Sequence, residues 1–217
     1  MSIRKVSFAP GEFYHLYNRG NSKQKIFRDK EDYYHFIKLM YISNDTRKFV
    51  VRDLSKYIFD KDKQKIRIVS IGAYTLMPNH FHLLVTTKTD GGISKFMQKL
   101  STGYVMYYNK KYKRTGSLFE GKFKSQYLDT DRYLKYIFSY IHLNIVKLID
   151  KEWKSTGIKD IKRVLDYLDS YDYSSYSDYV GKERKEAKII NTDDFPDYFP
   201  TKKSFFKEIL IWLNYNN

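Results

Sequence analysis

Cysteine is missing from all 217 residues, which excludes disulfides, cysteine-ligated zinc and thiol catalysis together. The same absence fits a reducing cytoplasm. No apolar run approaches the length that crosses a bilayer, and Met1–Pro10 carries no apolar core of signal-peptide length. With a mean hydropathy of −0.62 and 30% charged residues, the expectation is a chain with no membrane partner. There is no internal repeat. Acidic residues are in deficit, 25 Asp+Glu against 40 Lys+Arg, giving a formal net charge of +15 and a pI near 9.6. Histidine is scarce as well, five in all, so the position of each carries information.

Aromatic rings, by contrast, are plentiful: 18% of residues, 22 of them Tyr. Low-complexity disordered chains lack such rings; here they need a core or a ligand to stack on. The length suits one domain of ordinary size that buries a core without staples. Cations for phosphates and rings for bases make the profile of a nucleic-acid binder. A proteome rich in Lys and Tyr throughout would produce the same composition.

Hydrophobic periodicity gives the elements. A strand is expected over Phe13–Asn18, closed by Arg19-Gly20-Asn21. A helix runs from about Asp29 to Ser43, with Tyr33, Phe36, Ile37 and Met40 at helical spacing. Residues 44–65 are charged and irregular, an insertion between helix and strand. The β-rich run Ile66–Leu76 and the strand His80–Thr87 flank a tight Pro78-Asn79 turn and form a hairpin. A long helix follows Asp90-Gly91-Gly92, with Ile93, Phe96, Met97, Leu100 and Tyr104 on one face. A short strand covers Phe123–Leu128. Asp129-Thr130-Asp131 caps a third helix from about Arg132 to Leu148. The order β-α-β-β-α-β-α predicts an α+β fold, a ferredoxin-like antiparallel sheet with helices packed on one face. Residues 1–150 are the expected catalytic domain. Residues 151–217, with a linker-like Asn191–Pro200 and a short amphipathic helix over Phe205–Leu213, are an irregular and helical appendage packed on or tethered to it.

Two patterns carry chemistry. In a strand, residues i and i+2 share a face, so His80 and His82 project together while Phe81, Leu83 and Val85 face the core. Two adjacent imidazoles can hold a divalent cation. With no cysteine, the other ligands must be O or N donors, which suits Mg²⁺ or Mn²⁺. The plain alternative is two surface histidines. On the third helix, Leu134, Phe138, Ile141, Ile145 and Leu148 form a core stripe, and Tyr133, Tyr136, Tyr140, Asn144 and Lys147 a second stripe beside it. Tyr140 and Asn144 are neighbours one turn apart, a tyrosine nucleophile beside a carboxamide able to ligate a metal. Packing at the core edge is the competing account of each of these tyrosines. His142 points nearly opposite to Tyr140 and is discounted.

The run Gly72-Ala73-Tyr74-Thr75-Leu76-Met77-Pro78-Asn79-His80-Phe81-His82-Leu83-Leu84-Val85 resembles the signature of the single-tyrosine HUH transposases, in particular the insertion sequence 200-like transposase domain and the REP-associated tyrosine transposases. Further blocks match in order: Tyr14–Asn21 the first strand and turn, Gly116–Lys124 the block before the last strand, Tyr140–Lys147 the tyrosine helix, and Trp153 with Tyr173–Tyr176 the downstream segment. Together they cover about residues 12–180. The resemblance implies His80 and His82 as metal ligands for Mg²⁺ or Mn²⁺, Tyr140 as nucleophile, and Asn144 as a further ligand. It implies single-stranded DNA cleaved through a 5′-phosphotyrosine link and rejoined by reversal, in DNA transposition and recombination at hairpin or palindromic elements. Neutral imidazoles are needed for the metal, so activity should fail in acid.

The family's Asn-Pro-Val after the tyrosine block reads Asn144-Ile145-Val146 here, so the helix can run on. Arg19, Arg114, Lys122 and Lys124 are candidates for phosphate contacts, each with a solvated surface charge as its alternative. Tyr136 is the rival nucleophile. A catalytically inactive or domesticated relative that binds hairpin DNA or RNA is the alternative function, and a water-using metal nuclease a more distant one. Relatives of one type work as dimers sharing sites in trans, so homodimer and monomer both stand as expectations. The location expected is cytoplasmic, with the nucleoid.

Overall fold

The computed structural model describes residues 7–47, 59 and 66–214. Four strands, β1 (Phe13–Arg19), β2 (Val69–Met77), β3 (His80–Thr87) and β4 (Lys124–Tyr127), form one antiparallel sheet in the order β2-β3-β1-β4. With helices α1 (Lys30–Ser43) and α2 (Gly92–Lys111) as the two crossovers, this is the expected ferredoxin-like arrangement. Most of the charged 44–65 segment lies outside the described residues.

Alternation along the strands sorts the two faces. Tyr14 and Leu16 of β1, with Phe81, Leu83 and Val85 of β3, join Phe36, Met40, Phe96, Leu100 and Tyr104 of α1 and α2 in the main core. α1 begins where Asp29 accepts a hydrogen bond from the Asp32 amide at 3.0 Å, an N-cap that satisfies one of the otherwise unpaired first-turn donors. Its far end is tied to the sheet by Asn44, whose side chain accepts from the Ile68 and Val69 amides and donates to the Val69 carbonyl.

The second face is covered by α3 (Asp131–Leu143). Thr130 caps it, and Leu134, Ile137, Phe138 and Ile141 pack on Ala73, Leu84 and Leu128. The α-helix ends at Leu143 and continues as a 3₁₀ turn over Asn144–Leu148, where a continuous helix to Leu148 was expected. At three residues per turn the phase of the core stripe is lost. Ile145 and Val146 stay buried, while Leu148 is 39% exposed.

The remaining chain closes over this face. α4 (Trp153–Thr156), α5 (Ile161–Ser170), α6 (Tyr176–Tyr179) and α7 (Lys202–Leu213) share a second core with Met77 and the 3₁₀ turn. Backbone hydrogen bonds from Leu76 to Tyr173 and from Ser175 to Tyr74 lay residues 173–175 along the outer edge of β2. Asn191–Pro200, linker-like in composition, is packed down instead: Phe195 is buried against Phe13 and Phe138, and the Asn191 amide donates to Ile71.

Candidate active site

The hairpin between β2 and β3 fixes the two histidines. Its Pro78-Asn79 tip is gripped from outside, because the Pro78 carbonyl accepts from the Ile26 and Phe27 amides and the Asn79 carbonyl from Gly20. His80 lies opposite Arg19, and His82 opposite Tyr17, in the β1–β3 register. The two imidazoles share the α3 face, their ring centroids 5.0 Å apart. His80 Nδ1 meets Asn79 Oδ1 at 2.6 Å. His82 Nδ1 meets His15 Nε2 at 2.8 Å, and His82 Nε2 is buried with no hydrogen-bond partner.

α3 brings Tyr140 to the same place. Its ring centroid is 5.8 Å from those of both His82 and His15, edge-on to each. The ammonium of Lys154, on α4, sits 4.6 Å above the Tyr140 ring centroid. Asn144 begins the 3₁₀ turn; it is 2% exposed, and its side-chain nitrogen is another buried polar atom without a partner. Lys147 in the same turn is close enough to act on both His80 and His82.

Burial sets the electrostatics. Desolvation lowers the pKa of His15 and His80 to about 4, with Lys147 and Arg19 adding to the effect on His80. His82 is held well below the usual histidine range by burial, then by His15 and His80. All three are therefore neutral imidazoles at neutral pH, the form that ligates metals. Among the described residues no group of three His, Cys, Asp or Glu is arranged to hold a metal ion.

Two clefts flank the histidines. One, of about 400 Å³, is lined by His15, Tyr17, His82, Gln126, Tyr136 and Tyr140. The other, of about 280 Å³, is lined by Tyr17, Asn18, Arg19, His80, Glu120 and Lys124. Arg19 and Lys124 thus stand beside the histidines, with the Arg19 guanidinium on Glu120 at 2.9 Å. Lys122 is exposed just ahead of β4. Arg114 is not brought here: it lies over the Tyr108 ring of α2, in the helix layer on the other side of the sheet. Tyr136 lines the cleft but packs on Trp212 of α7, 4.8 Å between centroids. His142 is buried on the far side of α3, hydrogen-bonded to Ser175 at 2.7 Å.

His15 and Lys154 are absent from the sequence-predicted set. His15 was findable: Phe13, His15, Tyr17 and Arg19 alternate against the buried Tyr14 and Leu16, which places one of five histidines on the face opposite the main core. Lys154 leaves no signal, because nothing local ties a lysine on α4 to a tyrosine on α3.

A search of curated proteins finds no match. Among solved structures, the chain is similar to a REP-associated tyrosine transposase bound to a REP hairpin, with 14% identity, a TM-score of 0.55, and 86% of this chain and 90% of that one covered. A tRNA(His) guanylyltransferase from Saccharomyces cerevisiae also aligns, with 11% identity, a TM-score of 0.35, and 91% of this chain and 86% of that one covered; at that score it carries no argument. The first likeness shows the fold. The family is shown by a sequence model, described as Transposase IS200 like, that matches residues 30–144, just over half the chain and including the hairpin, both its histidines and all of α3. The chain belongs to the IS200-like transposases, a family of DNA-processing enzymes.

Proposed function

We propose that this transposase cuts and rejoins single-stranded DNA through a 5′-phosphotyrosine intermediate, with Tyr140 as nucleophile. The observation that carries the proposal is the meeting of Tyr140 with the neutral His82 at the mouth of an open cleft. Tyr140 Oη attacks the phosphorus and gives up its phenolic proton. The P–O3′ bond breaks, the 3′ oxygen leaves as a hydroxyl after taking up a proton, and the 5′ phosphate stays on the tyrosine. Attack by another 3′-OH reverses the step, so the bond energy is conserved and no nucleotide cofactor is needed.

The family generally uses a divalent metal, and the residues present fit one. His82 Nε2 is a buried polar atom without a partner, which is unusual unless a ligand completes it. His80, His82 and Asn144 would hold Mg²⁺ or Mn²⁺, both of which accept such O and N donors. A bound cation would neutralise charge on the scissile phosphate. The protein's own cations do the rest. Lys154 over the Tyr140 ring sets a positive charge beside the nucleophile, and Arg19, Lys122 and Lys124 grip phosphates leading to the site. Arg114, on the opposite layer, would contact only nucleic acid that wraps around the molecule. The substrate class we infer is a single strand with hairpin elements, in keeping with the REP hairpin bound by the structural neighbour.

The test is to incubate the protein with a labelled, hairpin-flanked single strand and Mn²⁺ or Mg²⁺ and look for an adduct that survives denaturant. Wild type and Tyr136→Phe should form it, and Tyr140→Phe should not. An adduct with Tyr140→Phe would show that the nucleophile is wrong. Tight binding without an adduct on any cognate hairpin points to a non-catalytic relative, and cleavage without an adduct to attack by water.

A further inference from the structure

We propose that His15 is a positioning residue that fixes the tautomer of His82, so that His82 presents a bare Nε2 to the metal. The inference rests on reading His80 and His82 as metal ligands. It starts from proton counting. A neutral imidazole carries one N–H, and His15 Nε2 faces His82 Nδ1 at 2.8 Å, so one proton lies between them. If it belongs to His15, then His82 must carry its own proton on Nε2. That N–H would be buried with no acceptor, since His82 Nε2 has no partner among the described residues. A buried N–H without an acceptor is rarer than a buried acceptor without a donor. If the proton belongs to His82 Nδ1, then His15 Nε2 accepts it, His15 keeps its own proton on Nδ1, and His82 Nε2 is a lone pair aimed into the site. Only this assignment leaves His82 able to ligate.

His80 is built the same way from a different part. Its Nδ1 meets Asn79 Oδ1 at 2.6 Å. An amide oxygen only accepts, so His80 also carries its proton on Nδ1 and frees Nε2. The two histidines therefore present the same nitrogen, one oriented by its neighbour in the turn and the other by a strand 67 residues away. Metal-bound histidines characteristically use their second nitrogen in this manner.

The placement is rigid. His15 is 6% exposed, in a strand paired on both sides, with its ring centroid 5.2 Å from Tyr17 and 5.8 Å from Tyr140. A ring needed only for packing there could be phenylalanine. The third imidazole does not act as a third ligand through Nε2, because that nitrogen is taken up by His82.

The experiment uses the full chain with ¹⁵N-labelled histidine. In metal-free protein, long-range ¹⁵N–¹H spectra should show His82 protonated at Nδ1. His15→Gln, whose side-chain oxygen can still accept, should keep that state, whereas His15→Phe should shift His82 toward the Nε2–H form or a mixture. Mn²⁺ affinity read by electron paramagnetic resonance should fall roughly 10–100-fold in His15→Phe and much less in His15→Gln. The proposal is overturned if wild-type His82 carries its proton on Nε2, or if His15→Phe keeps both the tautomer and the Mn²⁺ affinity. A wild type with the Nδ1–H tautomer that binds no Mn²⁺ would instead remove the metal reading and leave the His15–His82 hydrogen bond standing. His15→Gln and the wild-type spectrum decide the matter even where His15→Phe folds poorly.

Discussion

Tyr136 and Tyr140 stand one turn apart on α3 and differ in what surrounds the ring. Tyr136 leans on Trp212, and burial followed by the neighbouring Tyr140 raises its phenol pKa, which works against ionisation. Tyr140 has Lys154 over its face and His82 and His15 at its edge. Lys154 is itself partly desolvated, its pKa lowered by burial and then by Lys147; its charge is therefore less screened and acts more strongly on the ring. An ammonium over an aromatic ring in such a place is worth about 1–2 kcal/mol. Lys154→Met should therefore slow formation of the covalent adduct roughly 5–30-fold in single turnover while changing affinity for the strand only slightly. An unchanged rate would mean that the contact is packing alone. Among the site residues, His80 and His82 were legible because strand periodicity places them together, and Tyr140 and Asn144 because helical periodicity does. His15 was legible by the same alternation on β1, whereas Lys154 meets the site only through tertiary packing.

At the scale of elements, the strands and the first three helices could be read because their signals are local: alternation, the Asp29 and Thr130 caps, and the Pro78-Asn79 turn. The end of α3 could not be read, since Ile145 and Val146 are apolar in either helix type and the choice between them is made by packing on Met77 and Trp153. The Asn191–Pro200 strap was hidden for the opposite reason. Its Asp and Pro content dominates the pattern, while the rings that dock it, Phe195, Tyr198 and Phe199, carry no periodic signature. The loop that holds the hairpin tip was also unsignalled, and it rests on one small residue. Gly20 has ordinary backbone angles, φ −62° and ψ 139°, so its constraint is space. A Cβ there would lie 2.2 Å from the Gln24 carbonyl oxygen and 2.9 Å from Ile26 Cγ2. Backbone cannot yield as a flexible side chain can, so Gly20→Ala should cost about 1–3 kcal/mol. It should also loosen the Gly20–Asn79 hydrogen bond that sets His80. Chemical denaturation should show the lower midpoint, and Mn²⁺ affinity should fall with it. A variant as stable as wild type would mean that the 20–27 loop shifts without effect on the hairpin.

The whole molecule carries +15, and some of that charge is concentrated where a strand would enter: Arg19 and Lys124 line the His80 cleft, and Lys147 and Lys154 stand by the histidines and tyrosine. Burial makes the fold sensitive to acid through its histidines. All five are shifted the same way: His15, His35 and His80 to about 4 and His142 to about 3, from an ordinary 6.5, with His82 also well below, and burial is the leading cause in each. The sign follows from linkage. Below pH 6.5 the unfolded chain takes up protons that the folded chain refuses until about pH 4, so stability is full above 6.5 and is lost as pH falls through that window. Counting only the three buried histidines, His15, His82 and His142, at about 1.4 kcal/mol per pH unit each, acidification from pH 7 to 5.5 withdraws roughly 4 kcal/mol. For a chain of this size that is a fall in Tm of about 8–16 °C, measured by calorimetry in chelator so that no metal holds the imidazoles neutral. Each buried histidine replaced by a neutral residue that keeps the fold should flatten the curve by about a third. A Tm that does not change between pH 7 and 5.5 would mean the histidines protonate in place, and the neutral imidazole pair on which the proposed metal site depends would be lost with that result.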